Sequence, residues 1–424
     1  MAVKIVRQAN KIALLGAPTS AAAMSAGHEE APSALRNAGL TSRLTSIGYE
    51  VNDLGDDPAQ LYQPDEESPR ARNLPAVVRA LEALKPRVEQ AVKSCALPVI
   101  LGGDCSVALA VVAGARRYYR RVSLLYMDRH ADLNTPATTP SGCVDGMVVS
   151  HLTGRGAAEL VRFWGEPPLV REPDLALFGI DSLDPSEQEV LRQSPLRSFT
   201  ADEIKRRGIA ATARLALERI HANLSEFVLH FDVDVIADFQ ATNYPASGGL
   251  TLEEVRESLD EFVRQKNLAA IEVTAYNPSK DPNGSAARVI IDLIVGALEK
   301  RLQVLSAAPS ESLSAQAPAV APTEAAPEPG APPPIEVAAK DEEPLPEIRP
   351  GEAWSSDSLE KAEPENGEKA DNTSEVSTPR GVEDEIHAGT SQTSELSSER
   401  SDDGAVAPDE ETSESHEQSD ETTA

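Results

Sequence analysis

Residues 124–136 read LLYMDRHADLNTP, an apolar run that ends by setting Asp128, His130 and Asp132 at every second position. Alternate side chains of an extended chain share a face, so these three groups fall together where the strand stops. The unbroken apolar character of the run suits a strand covered on both sides. Similar runs recur as KIALLG (11–16), LPVILGG (97–103), DLALFGI (174–180), EFVLHFD (226–232) and LAAIEV (268–273), with helical patterns between them. That alternation predicts an α/β fold with a parallel sheet between helices. Helix starts are legible at Thr200 with Glu203 and at Thr251 with Glu254, both at capping-box spacing. The last strong helical pattern covers 285–302, and no internal repeat is visible.

Open parallel sheets collect ligands beyond the carboxyl ends of their strands. Three runs deliver acids there: LPVILGGDCS ends in Asp104 and Cys105, VSLLYMDRHAD in Asp128, His130 and Asp132, and EFVLHFDVD in Asp232 and Asp234. Asp128, Asp132, Asp232 and Asp234 brought to one edge would repel each other and lose hydration, so some would have to take up protons. Divalent metal removes that conflict, and two ions sharing carboxylates suit the ligand count. Oxygen-rich ligation with one imidazole favours manganese over zinc or copper.

The chain has 424 residues and a formal net charge of −30, distributed unevenly. From Ala307 onward there are 30 acidic and 6 basic residues among Pro, Ala, Ser and Thr, whereas the body holds 39 acidic and 33 basic. Two regions are therefore expected: a folded domain over 1–306, and a tail over 307–424 too polar to offset the entropy of ordering it. A polyanionic tail and the lack of a basic, aromatic-interleaved patch argue against nucleic acid as a partner. No run of eighteen apolar residues or secretory leader is visible, so neither a membrane nor export is expected. Cys95, Cys105 and Cys143 are odd in number and lack framework spacing, which fits a reducing, cytoplasmic setting.

Over roughly residues 11–300 the sequence resembles the arginase and agmatinase family of ureohydrolases. The likeness rests on GAPTSAAAMSAGHEEAPSALRNAGL, LGGDCS, MDRHADLNTPATTPSGCVDG, HFDVDVIADF with GGLT, and IEVTAYNPSKDP, in that order. The resemblance implies a three-layer α/β/α fold with an eight-stranded parallel sheet and a binuclear Mn2+ site. In such a site a metal-activated hydroxide attacks the carbon of a guanidino or related group. Asp128 and Asp232 match the bridging carboxylates, His130 and Asp234 the other ligands of one metal, and Asp132 a ligand of the second that also bonds the attacking hydroxide. Asn134, Thr139 and Ser141 match positions that read a substrate α-carboxylate, and Asp184 one near its α-amino group. These four also suit ordinary loop and turn chemistry. Trimers or hexamers are implied as well.

Three positions depart from the family. Cys105 stands where the second metal takes a histidine, either as a thiolate ligand softer than imidazole that shifts preference away from manganese or as a small buried thiol that does not ligate; Asp145 stands where a histidine shuttles protons, and Ala275 where a glutamate grips the guanidinium. Asp145 is then a candidate proton carrier, with Asp145 or Glu272 the candidate replacement for the missing glutamate. Two alternatives stay open: a degenerate member that binds without efficient catalysis, and a single-metal amide hydrolase like the related deacetylases. His151 and His230 are read as packing or core histidines, Arg129 as half of a structural ion pair, and His28 carries no derivable role.

Overall fold

The computed structural model describes residues 5–307. Eight strands, β1 (Lys11–Ala17), β2 (Glu50–Asp56), β3 (Leu97–Gly102), β4 (Val122–Met127), β5 (Leu175–Ile180), β6 (Arg197–Thr200), β7 (Glu226–Asp232) and β8 (Leu268–Thr274), form one sheet in the order β2-β1-β3-β8-β7-β4-β5-β6. Every pairing is parallel. The six strands read from apolar runs are all present. Those the runs did not announce, β2 and β6, are the two edges, where EVNDLGD is largely solvent-facing and RSFT is only four residues long.

Alternation along the inner strands feeds two cores. Leu125 and Met127 join Phe227, Leu229 and Phe231 on one face under the helices Leu252–Val263 and Ser285–Ala307. Leu124, Tyr126 and Val228 face the other way, onto the helices Leu74–Lys93 and Val107–Arg116. Period-two side chains thus give the three-layer arrangement. The expected capping box at Thr251 and Glu254 forms in full. At Thr200 only half forms: its hydroxyl accepts from the Glu203 amide, while the Glu203 carboxylate turns to Arg197 and Arg207. The proposed tail lies outside the described residues beyond Ala307, the last residue of the closing helix.

The carboxyl ends of β3, β4, β7 and β8 are neighbours at the centre of the sheet. After β3 the chain must pass close to the loop following β1. A β-carbon on Gly103 would stand 1.7 Å from the Thr19 carbonyl oxygen, so only glycine fits there. Asp104 pins the same crossing, accepting from the Ala22 amide at 3.0 Å and the Ser106 amide at 3.1 Å. It is thereby a buried brace, and Cys105 is the residue turned to the cavity.

Candidate metal centre

A cavity of about 250 Å³ opens at this edge. Cys105, Asp128, His130, Asp132, Asp232 and Asp234 all line it, together with Asn134, Ser141, Asp145, Asp184, Glu187 and Tyr244. Two sets of donor atoms lie within 4.8 Å of one another: Cys105, Asp128, His230 and Asp232, and Asp128, His130 and Asp234.

The i, i+2 acids are fixed by their own backbone. Asp128 Oδ1 accepts from the His130 amide at 2.6 Å, and Asp232 Oδ1 from the Asp234 amide at 2.7 Å. His130 Nδ1 stands 3.1 Å from Asp234 Oδ2 and 3.5 Å from Asp128 Oδ1. Cys105 Sγ donates to Asp232 Oδ2 at 2.9 Å. Asp132 has φ +50°, a left-handed conformation uncommon for aspartate, and its carboxylate accepts from the Tyr126 hydroxyl.

The electrostatics are those of crowded acids. Burial lifts Asp232, and repulsion from Asp234 and Asp128 lifts it further, well above the carboxylate range. Asp132 is raised by burial and by Asp128. Burial would raise Asp128 too, but His130 and His230 outweigh it and hold Asp128 low. In return, although burial opposes protonation of either ring, Asp234 and Asp128 push His130 up to about 12, and Asp128 and Glu272 push His230 up to about 10. Asp128 Oδ2 and both carboxylate oxygens of Asp234 are buried without a hydrogen-bond partner. Such orphaned acceptors facing one another fit a divalent cation.

The remaining sequence candidates separate. Asn134 and Ser141 line the cavity, whereas Thr139 Oγ1 closes the loop by accepting from the Gly142 amide at 2.9 Å. Asp184 lines the cavity and also caps the helix Pro185–Gln193 in a full capping box with Glu187; its other oxygen accepts from Asn134 Nδ2 at 2.7 Å. Asp184→Ala is therefore expected to cost about 1 kcal/mol through the lost cap, read as a fall of roughly 2–4 °C in Tm. Asp145 accepts from the Tyr244 hydroxyl and rises to about 7, burial outweighing that bond. His151 is a packing residue whose Nε2 accepts from the Ala157 amide at 3.1 Å. Arg129 donates to the Tyr244 carbonyl at 3.4 Å in place of the expected ion pair.

Glu272 does not reach the cavity as a substitute for the family glutamate. It is fully buried, and its Oε1 lies 2.8 Å from His230 Nδ1. Ala275 is also fully buried, with φ +64°. The sequence reading missed Tyr126 and Tyr244, which hold Asp132 and Asp145. Tyr126 was legible only as one more apolar strand residue, and Tyr244 sits in a loop 99 residues beyond its partner.

Fold and donor set together define a parallel α/β protein with a candidate metal centre at the carboxyl edge of its sheet. Comparison with known proteins gives the family. The Arginase family model matches residues 10–298. The arginase of Bacillus caldovelox is 30% identical over 288 residues, covering 67% of this chain and 96% of that protein. The arginase of Neurospora crassa is 32% identical over 293 residues, covering 65% of this chain and 81% of that one. The native structure of the Bacillus caldovelox enzyme superposes with a TM-score of 0.63 at 29% identity, covering 68% of this chain and 98% of that structure. The chain belongs to the arginase family, whose members of this kind are ureohydrolases. Among the described residues no helix is long and apolar enough to cross a membrane.

Proposed function

We propose that this chain is a metal-dependent hydrolase of a carbon–nitrogen bond in a guanidino or amidino compound, with Asp128, His130, Asp132, Asp232 and Asp234 as the metal-facing groups. The observation that carries the reading is that these residues, from two separate strand ends, line one cavity. Divalent metal bound there supplies a Lewis acid and a water acidified to near neutrality. The chain's own side chains bind and position the substrate: Asn134, Ser141 and Asp184 present hydrogen-bonding groups along the cavity wall and suit an amino-acid-like end. Protein reconstituted with manganese and offered arginine, agmatine and guanidino acids should release urea; no turnover across that panel would sink the reading.

Asp145 is the proposed proton carrier, deprotonated when it accepts a proton. Its carboxyl is raised to about 7, so turnover should climb as pH rises to about 7 and then level; a bound dication moves that limb lower. Asp145→Asn should remove the limb from the pH–kcat profile. A chain ending at Ser306 should keep the Tm and turnover of the full chain, since the body alone carries the matched motifs.

Cys105 and Ala275 favour a second reading, a degenerate member that binds without efficient catalysis. A guanidinium without its carboxylate partner loses a charge-assisted contact worth several kcal/mol. Under that reading, changing Cys105 and Asp145 to His and Ala275 to Glu creates turnover that the natural chain lacks, and high turnover in the unaltered chain dismisses it.

A further inference from the structure

We propose that His230 supplies the imidazole that Cys105 displaces, so that Cys105, His230, Asp128 and Asp232 form a four-donor site for a thiophilic divalent ion such as zinc or cobalt(II). The inference deepens the metal-dependent reading above and rests on it.

The site is built as a second tier under the expected one. Strand register places His230 beside Tyr126 of β4 on one side and Glu272 of β8 on the other, while Asp232 and Thr274 pair one step nearer the edge. Glu272 Oε1 lies 2.8 Å from His230 Nδ1, and a carboxylate there keeps a proton on Nδ1, so Nε2 is the nitrogen available to a metal once it gives up its own proton. A carboxylate behind a ligating histidine is the usual support for such a ligand. Tyr126 clamps the ring, stacked parallel with centroids 4.0 Å apart. From that position Nε2 stands 3.8 Å from Asp128 Oδ2, an ion-pair distance, and 3.4 Å from the Thr274 hydroxyl. Asp128 Oδ2 is the buried oxygen that lacks a hydrogen-bond partner, and it faces this gap.

Asp132 falls in neither set of close donors, and its carboxylate accepts from the Tyr126 hydroxyl. Tyr126 thus engages Asp132 through its hydroxyl and His230 through its ring face. One sulfur, one nitrogen and two carboxylate oxygens make a donor set that would suit zinc or cobalt(II) better than manganese. On binding, the Cys105 thiol proton and any proton on Nε2 pass to solvent.

The test uses the full chain stripped of metal and titrated with cobalt(II) alone. One equivalent should produce a thiolate-to-cobalt charge-transfer band, which Cys105→Ser abolishes. Glu272→Gln should weaken cobalt binding by about 10–100-fold, and His230→Ala or His230→Asn by at least as much, with circular dichroism confirming that each variant is folded. No band in the natural chain, or unaltered cobalt affinity in a folded His230 variant, overturns the proposal. A band without hydrolysis of any guanidino substrate counts against the hydrolase reading alone; hydrolysis without a band counts against this site alone.

Discussion

Asp128→Asn is expected to strip the protein of its metal and to cut kcat/KM by on the order of 10³-fold or more. Asp128 is the one residue common to both sets of close donors, so its loss weakens both at once, whereas any other single change leaves one set whole. A metal ion lowers the pKa of its water from about 15.7 to about 7, and no other group in the cavity can replace that effect. The same change also removes the anion beside two imidazoles. His130 and His230 are both held protonated in part by Asp128, so the metal-free variant should itself be less stable than the metal-free natural chain. Elemental analysis, a substrate assay and a thermal melt on one preparation check all three. Metal retained at the natural stoichiometry would remove Asp128 from the centre.

Asp232→Asn should separate function from stability in the opposite way. Asp232 is raised by burial and by two neighbouring carboxylates, so without metal its ionised form is a liability. Neutralising it relieves that repulsion, and the metal-free variant should be more stable than the metal-free natural chain by roughly 1–3 kcal/mol near neutral pH. With metal present the order reverses, because the natural chain gains binding energy at the Cys105, Asp128, His230 and Asp232 set that the variant lacks there: a ligand at a hundred times its Kd adds about 2.7 kcal/mol. The pH dependence follows the same sign. A carboxyl raised in the fold binds more protons folded than unfolded, so its contribution falls as pH climbs from the ordinary carboxylate range toward its raised value. Metal-free natural protein should therefore lose Tm over that interval, and Asp232→Asn should lose less. Identical melts in both conditions would show that the carboxylates do not crowd.

The central strands were legible because burial on both faces leaves continuous apolar runs, and the strand-end acids because alternation places i, i+2 groups on one face. The edge strands were not, since one side of β2 meets water and its residues carry no such run. In the site, the residues that touch the cavity from strand ends were readable, whereas those acting through a neighbour were not. His230 has the parity of Asp232, so its direction was predictable; its partner is on β8, 42 residues later, and only the register brings Glu272 to it. Asp184 shows the converse. Asp-Pro-Ser-Glu at 184–187 is a helix-start signature that a functional match obscured, and in the fold the residue both caps and lines the cavity.

The Tyr126, His230 and Glu272 row has a bearing on assembly of the sheet. Parallel strands made of Val, Leu, Ile and Phe can slide past one another at small cost, because one apolar neighbour serves nearly as well as the next. Sliding β7 by a single residue against β8 would set Glu272 opposite Leu229 or Phe231, stranding a carboxyl in a dry interior. The buried pair thus acts as a pin, making every misaligned pairing of the two strands expensive before any ligand arrives.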